Sequence, residues 1–143
     1  MTGDPVLRLT LPAEPDAVRD ALLRLARDLP AMGVRAESLG TVELVLAELL
    51  NNIVEHAYSA GPRGEIELEL ERRRSRLICT IVDRGRPMPG GALPPRRDLP
   101  VFADRRDLPE GGFGWFLIHE LVEDLSYSRR NGMNVVRVGL SLG

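Results

Sequence analysis

A chain of 143 residues, 43% hydrophobic and 28% charged, has the composition of a globular protein and the length of a single domain spanning residues 1–143. Its net charge of −2 excludes the basic footprint that nucleic acid or an anionic membrane surface selects, and no apolar run nears the roughly 20 residues needed to span a bilayer. The N-terminus, MTGDPVLRLTLP, lacks the basic and apolar regions of a signal peptide, so a cytoplasmic location is expected.

VLRLTL, residues 6–11, alternates as a strand does, and Pro12 closes it. In EPDAVRDALLRLARDLPAMG, Glu14 or Asp16 stands near a helix start and Pro15 in the first turn. Val18, Leu22, Leu25 and Leu29 form a stripe, and Pro30 and Gly33 end the helix. AESLGTVELVLAELLNNIVEHAYSAG supplies a second helix, stopped by Ser59, Gly61 and Pro62. From Val42 to Tyr58 it is apolar nearly all round, at Val42, Leu44, Val45, Leu46, Leu49, Leu50, Ile53, Val54 and Ala57, as in a helix wedged between other elements. Glu48, Asn52 and His56 interrupt that run at intervals of four. Four residues turn a helix by about 400°, so a carboxylate, an amide and an imidazole point into one space. The same spacing is ordinary on a solvated face.

GEIELELERR and SRLICTIVDRG, joined by RRRS, predict an antiparallel hairpin. Ile66, Leu68 and Leu70 give the first strand one dry face, whereas Leu77, Cys79 and Ile81 on one side with Ile78 and Val82 on the other set the second deeper in the sheet. Cys79 is the single cysteine, which excludes an intrachain disulfide and a Cys-rich zinc site; it reads as a small buried hydrophobe. Asp83 ends the strand and Gly85 follows. A carboxylate there can accept from an exocyclic amine, and a glycine lets a flat ring approach the backbone, although both residues also suit a plain turn.

From Arg84 to Gly112 no period survives, and prolines at 87, 89, 94, 95, 100 and 109 forbid regular structure; a loop this long is disorder or a lid. EGGFGWFLI, residues 110–118, opens from glycines directly into an apolar helix whose free amides form an anion cradle. Such a cradle matters here because all 19 basic residues are Arg, which excludes the lysine of a P-loop. Trp115, Ile118, Leu121 and Val122 share one face of that helix, and LSYSRR with NVVRVGLSL closes the chain as a hairpin around Asn131 and Gly132. The element order predicts an α+β two-layer sandwich, a mixed, largely antiparallel sheet with three helices on one face.

ELLNNIVEHAY, VDRGRP and GGFGWFLI, in this order, resemble the N, G1 and G2 boxes of the GHKL family, which shares the Bergerat ATP-binding fold, and within it the short bacterial anti-sigma factor serine kinases. The resemblance runs from the first helix to the closing hairpin. It implies ATP and Mg²⁺ as cofactors, Asn52 as the Mg²⁺ ligand and Glu48 as the general base toward an attacking hydroxyl. It further implies that Asp83 recognises the adenine amino group, that Gly85 gives the ring room, and that Gly112 and Gly114 wrap the phosphates under a lid at about residues 86–111. Asn134 stands beside the adenine, where threonine is usual. The implied partners are a STAS-type anti-sigma factor antagonist phosphorylated on serine, a sigma factor held by sequestration and a second copy of the chain, with no nucleic acid or membrane contact. Glu55 stands where many relatives carry a basic residue, and Trp115 replaces a small aliphatic. These departures keep open an alternative, an ATP-binding module that controls a partner by sequestration without phosphotransfer. Arg96, Arg97, Arg105 and Arg106 are the lid's candidates for the missing charge, and His56 and His119 read as packing or surface residues.

Overall fold

The computed structural model describes residues 5–58, 64–94 and 113–143. Gly112, the four candidate lid arginines, the helix stop at Ser59, Gly61 and Pro62, and the expected lid from residue 95 onward lie outside the described residues.

Five strands, β1 (Val6–Pro12), β2 (Glu65–Arg73), β3 (Arg76–Asp83), β4 (Asp124–Arg130) and β5 (Met133–Ser141), form one sheet in the order β1-β2-β3-β5-β4. Every pairing among the described residues is antiparallel, so the expected largely antiparallel sheet contains no parallel pair there. Spatial neighbours along the sheet run in opposite directions, and among the described residues no helix serves as a crossover between parallel strands. Three helices, α1 (Pro15–Asp28), α2 (Ala36–Asn52) and α3 (Phe113–Leu121), join the core on one face of this sheet.

The alternation of β2 sorts its side chains cleanly. Ile66, Leu68 and Leu70 are buried under the helices while Glu65 and Glu67 face water. The central strand, β3, buries Leu77, Cys79 and Ile81 completely, and its opposite face is half-buried. Burial pushes the Cys79 thiol up to about 12, so it carries no thiolate at neutral pH and acts as a packing residue. At the last hairpin Asn131 and Gly132 take φ of 54° and 77°, the left-handed pair that a two-residue turn matching strand twist requires.

The second helix packs against both α1 and α3 and buries Val42, Val45, Leu46, Leu49 and Leu50. Its apolar surface is less complete than its composition suggests, because Leu44 is 40% exposed. The α-helix also stops earlier than expected. After Asn52 the backbone widens into a π turn over Ile53–Ala57, and Tyr58 leaves the helical region. Such turns re-aim the residues that follow them and recur at functional sites.

Register then gathers the polar residues at one end of the sheet: Asp83 lies opposite Ile66 on one side and Asn134 on the other, and Arg129 lies opposite Asn134. The packing of α2 carries a direct expectation. Leu50, fully buried, should cost about 2–5 kcal/mol when cut to Ala. Leu44→Ala should stay within about 0.5 kcal/mol. Urea unfolding of the two variants distinguishes these values, and equal losses would contradict the assigned faces of the helix.

Candidate active site

A cavity of about 580 Å³ opens beside the C-terminal part of α2, walled by Asn52 and Ile53, by Asp83 of β3, Trp115 of α3 and Asn134 of β5. Its volume suits a nucleotide-sized ligand, and its walls are mostly apolar with a few converging polar groups, the usual make-up of a ligand site.

At the sheet end of the cavity, Asp83 is 3% exposed, and its Oδ1 accepts from the Gly85 N–H (2.9 Å) and from Asn134 Nδ2 (2.9 Å). Oδ2 accepts no hydrogen bond from the described residues, which leaves one carboxylate oxygen for a donor brought by a ligand. Burial raises the pKa of Asp83 above the ordinary carboxylate value, against the lowering effects of Asn134, Gly85 and the more distant Arg129 charge.

Gly85 does not line the cavity. A Cβ there would run into the backbone carbonyl of Ala57, so its missing side chain serves first to let the β3 exit cross the π turn of α2. That crossing is hydrogen-bonded as well: Arg86 donates its N–H to Ala57 O (2.9 Å) and Nη2 to His56 O (3.0 Å). Tyr58 fastens the same junction, its hydroxyl accepting from the Arg84 N–H (2.7 Å) and donating to Glu65 O (3.1 Å). The π turn and the strand end are therefore positioned as one piece.

Glu48 and Asn52 stand one turn apart on α2, both half-buried. A Cβ on Gly114 would collide with Glu48 Oε2, so the carboxylate lies over the first turn of α3, where the helix dipole favours negative charge. The Asn52 amide nitrogen is buried with no hydrogen-bond partner among the described residues, an unsatisfied group at the cavity wall. Turning this amide over exchanges its nitrogen for its oxygen in the same space. It can thus offer an acceptor to a cation while its nitrogen donates to a phosphate oxygen. Among the described residues no three His, Cys, Asp or Glu gather as a metal cage. The donor set fits a hard cation that keeps water and phosphate oxygens as most of its ligands, as Mg²⁺ does.

His56 is exposed with its Nε2 3.8 Å from Glu55 Oε2, and it borders the cavity. His119 forms a hydrogen bond through Nε2 to Pro94 O (2.9 Å) and tilts against Trp115, which ties α3 to the segment after β3. Sequence reasoning passed over three residues of the site, Tyr58, Tyr127 and Arg129. The last two were legible in principle, since alternation in LSYSRR sets Leu125, Tyr127 and Arg129 on one face.

Residues 11–140 match the histidine kinase-like ATPase domain. The chain belongs to that family. A serine-protein kinase RsbW from Oceanobacillus iheyensis is 28% identical over 141 residues, which are 95% of this chain and 87% of that protein. A serine/threonine-protein kinase BtrW from Bordetella bronchiseptica is 37% identical over 95 residues, 66% of this chain and 64% of that one. Among solved structures, the RsbU and RsbW domains of Rv1364c from Mycobacterium tuberculosis match with a TM-score of 0.67 at 18% identity, over 96% of this chain and 32% of that longer chain, a likeness of fold. Within the family this chain is of the protein-kinase kind.

The two glycines respond differently to a methyl group. Gly85→Ala should destabilise by about 1–3 kcal/mol, because the obstacle is backbone. Gly114→Ala should cost little, because the Glu48 side chain can swing away. Thermal melts decide this, and a larger loss at Gly114 would contradict it. Asp83→Asn keeps an oxygen that accepts from Gly85 and Asn134. The raised pKa of Asp83 means that its contribution to stability is present below the ordinary carboxylate range and is lost as pH rises through its folded value. The amide variant should therefore melt no lower than the parent at pH 7 and show less decline between acid and neutral pH. A lower melt at pH 7 would show that the carboxylate stabilises the fold.

Proposed function

We propose that this protein is a cytoplasmic, ATP-dependent serine kinase of the anti-sigma factor class, which binds Mg-ATP, phosphorylates a serine on a STAS-type antagonist and sequesters a sigma factor. The observation that carries this reading is one cavity bordered by a buried carboxylate with an unused oxygen, Asp83, and by an unsatisfied amide, Asn52, with Glu48 one helical turn from that amide. In this reading Asp83 Oδ2 accepts from the adenine amino group. The apolar walls, including Trp115 and Val136, surround the nucleoside. Asn52 holds Mg²⁺ through its amide oxygen, and the ion neutralises phosphate charge when bound.

Glu48 accepts the proton of the serine hydroxyl as its oxygen attacks the γ-phosphorus, and the bond from that phosphorus to the β–γ bridging oxygen breaks, releasing ADP. Gly112 and Gly114 approach the phosphates at the start of α3, and residues 86–111 act as the lid. The roles assigned to Asn52, Glu48 and the glycines are supported by the resemblance of ELLNNIVEHAY and GGFGWFLI to the family's boxes. The sigma factor, the antagonist and a homodimer rest on the same resemblance. No helix among the described residues is long and apolar enough to cross a membrane, which is compatible with the cytoplasmic assignment.

Mg-ATP at a hundredfold excess over its Kd should stabilise the fold by about 2.7 kcal/mol, an increment that chelation of Mg²⁺ reduces. With a cognate STAS-type antagonist, the purified protein should yield phosphoserine. Glu48→Gln should lower transfer by roughly 10²–10⁴-fold while leaving the nucleotide-induced stabilisation intact. Transfer that survives the substitution would contradict the assignment of the base. Stabilisation without any transfer by the parent protein would favour control by sequestration alone.

A further inference from the structure

The amide of Asn134 is 3% exposed, and every hydrogen-bonding position on it is taken. Its two N–H groups go to Asp83 Oδ1 (2.9 Å) and Arg86 O (2.8 Å), with Gly85 O at 3.4 Å. Its oxygen accepts from the Tyr127 hydroxyl (2.6 Å) and from Arg129 Nη1 (3.0 Å). A primary amide offers two donors and two lone pairs, so this one has nothing left to give a ligand. Asn134 borders the cavity all the same. Its place in the sequence suggests a nucleotide contact; its bonding describes something else.

We propose that Asn134 is a positioning residue that acts through Asp83: held by Tyr127 and Arg129, it occupies Oδ1 of the carboxylate and turns Oδ2 toward the adenine amino group. This rests on the reading that Asp83 receives that amine. Asn134 is the crossing point of three strands, donating to the end of β3 from β5 while β4 supplies both groups that fix its own orientation. Without Tyr127 and Arg129 the amide could turn over and present its oxygen to the Asp83 carboxylate, an acceptor against an acceptor.

The segment leaving β3 does not depend on Asn134 alone. Arg129 Nη1 donates to Gly85 O (2.8 Å), the Arg86 N–H and Nη2 bond the π turn, and the Met88 N–H donates to the Tyr127 hydroxyl (3.0 Å). Loss of the Asn134 amide therefore frees the Asp83 carboxylate more than it reshapes the cavity. The consequence is selective: a purine without the 6-amino group makes no use of Asp83 and should not sense the loss.

Calorimetric Kd values for Mg-ATP and for the triphosphate of purine riboside, which lacks the 6-amino group, test this on the full chain. The parent protein should bind ATP at least about tenfold more tightly than the analogue. Asn134→Ala should weaken ATP by at least about tenfold and change the analogue by less than about threefold, so that the two affinities converge. Tyr127→Phe, which keeps the ring and removes the hydroxyl, should give the same selective loss at smaller size, and it serves where the Ala variant folds poorly. Equal losses for both nucleotides, or no loss for either, would overturn the positioning role while leaving the adenine reading standing. A parent protein that binds the two nucleotides alike would overturn the adenine reading itself.

Discussion

One buried carboxylate constrains the architecture of the site. Asp83 ends the central strand where water is nearly absent, and burying a charge there is unfavourable unless fixed donors surround it. The chain supplies two to the same oxygen, a backbone N–H from Gly85 and a side-chain amide from Asn134. Concentrating both on Oδ1 leaves the carboxylate half-satisfied and directional. Such a group is costly in an empty protein and useful in one that receives a hydrogen-bond donor, the common trade between stability and function at binding sites.

The second constraint is the meeting of α2 with the strand that carries Asp83. The π turn after Asn52 sets the Ala57 carbonyl against the Arg86 N–H and the His56 carbonyl against the Arg86 guanidinium, and Tyr58 bridges Arg84 to Glu65. The helix that bears Glu48 and Asn52 is thereby locked to the strand end that bears Asp83. Glu48 and Asn52 are held at a fixed separation from Asp83 by hydrogen bonds to backbone carbonyls and amides. In the proposed reading a chain with no lysine would meet phosphate through such fixed elements, an amide on a helix and the start of another helix, more than through mobile cations.

The fold was legible in the sequence because its signals were local. Alternation in GEIELELERR, the Asn-Gly turn and Pro15 at the start of α1 reproduce the elements seen, whereas α1 ends at Asp28 and the expected stop at Gly33 closes a separate 3-10 turn, Leu29–Met32. In the site, spacing reaches as far as Glu48 and Asn52, which fall one turn apart; the pairing of Asp83 with Asn134 across β3 and β5 comes from register. Three features were hidden. A π turn has no marker in an apolar helical pattern, so the helix was read straight through Tyr58. The crowding at Gly85 comes from Ala57, a partner distant in sequence, so the glycine was read as room for a ligand. Tyr127 and Arg129 matter only through register, which pairs them with Val136 and Asn134, and register is not written in either strand alone.

The central claim is that the free oxygen of Asp83 receives the nucleotide. Titrating Mg-ATP in a calorimeter into the parent protein and into Asp83→Asn tests it most directly, since the amide keeps both internal hydrogen bonds and replaces only the unpartnered oxygen with a donor. Saturable heat for the parent and none for the variant is the outcome that follows from this structure. Equal affinities, or no heat from either protein, would contradict it.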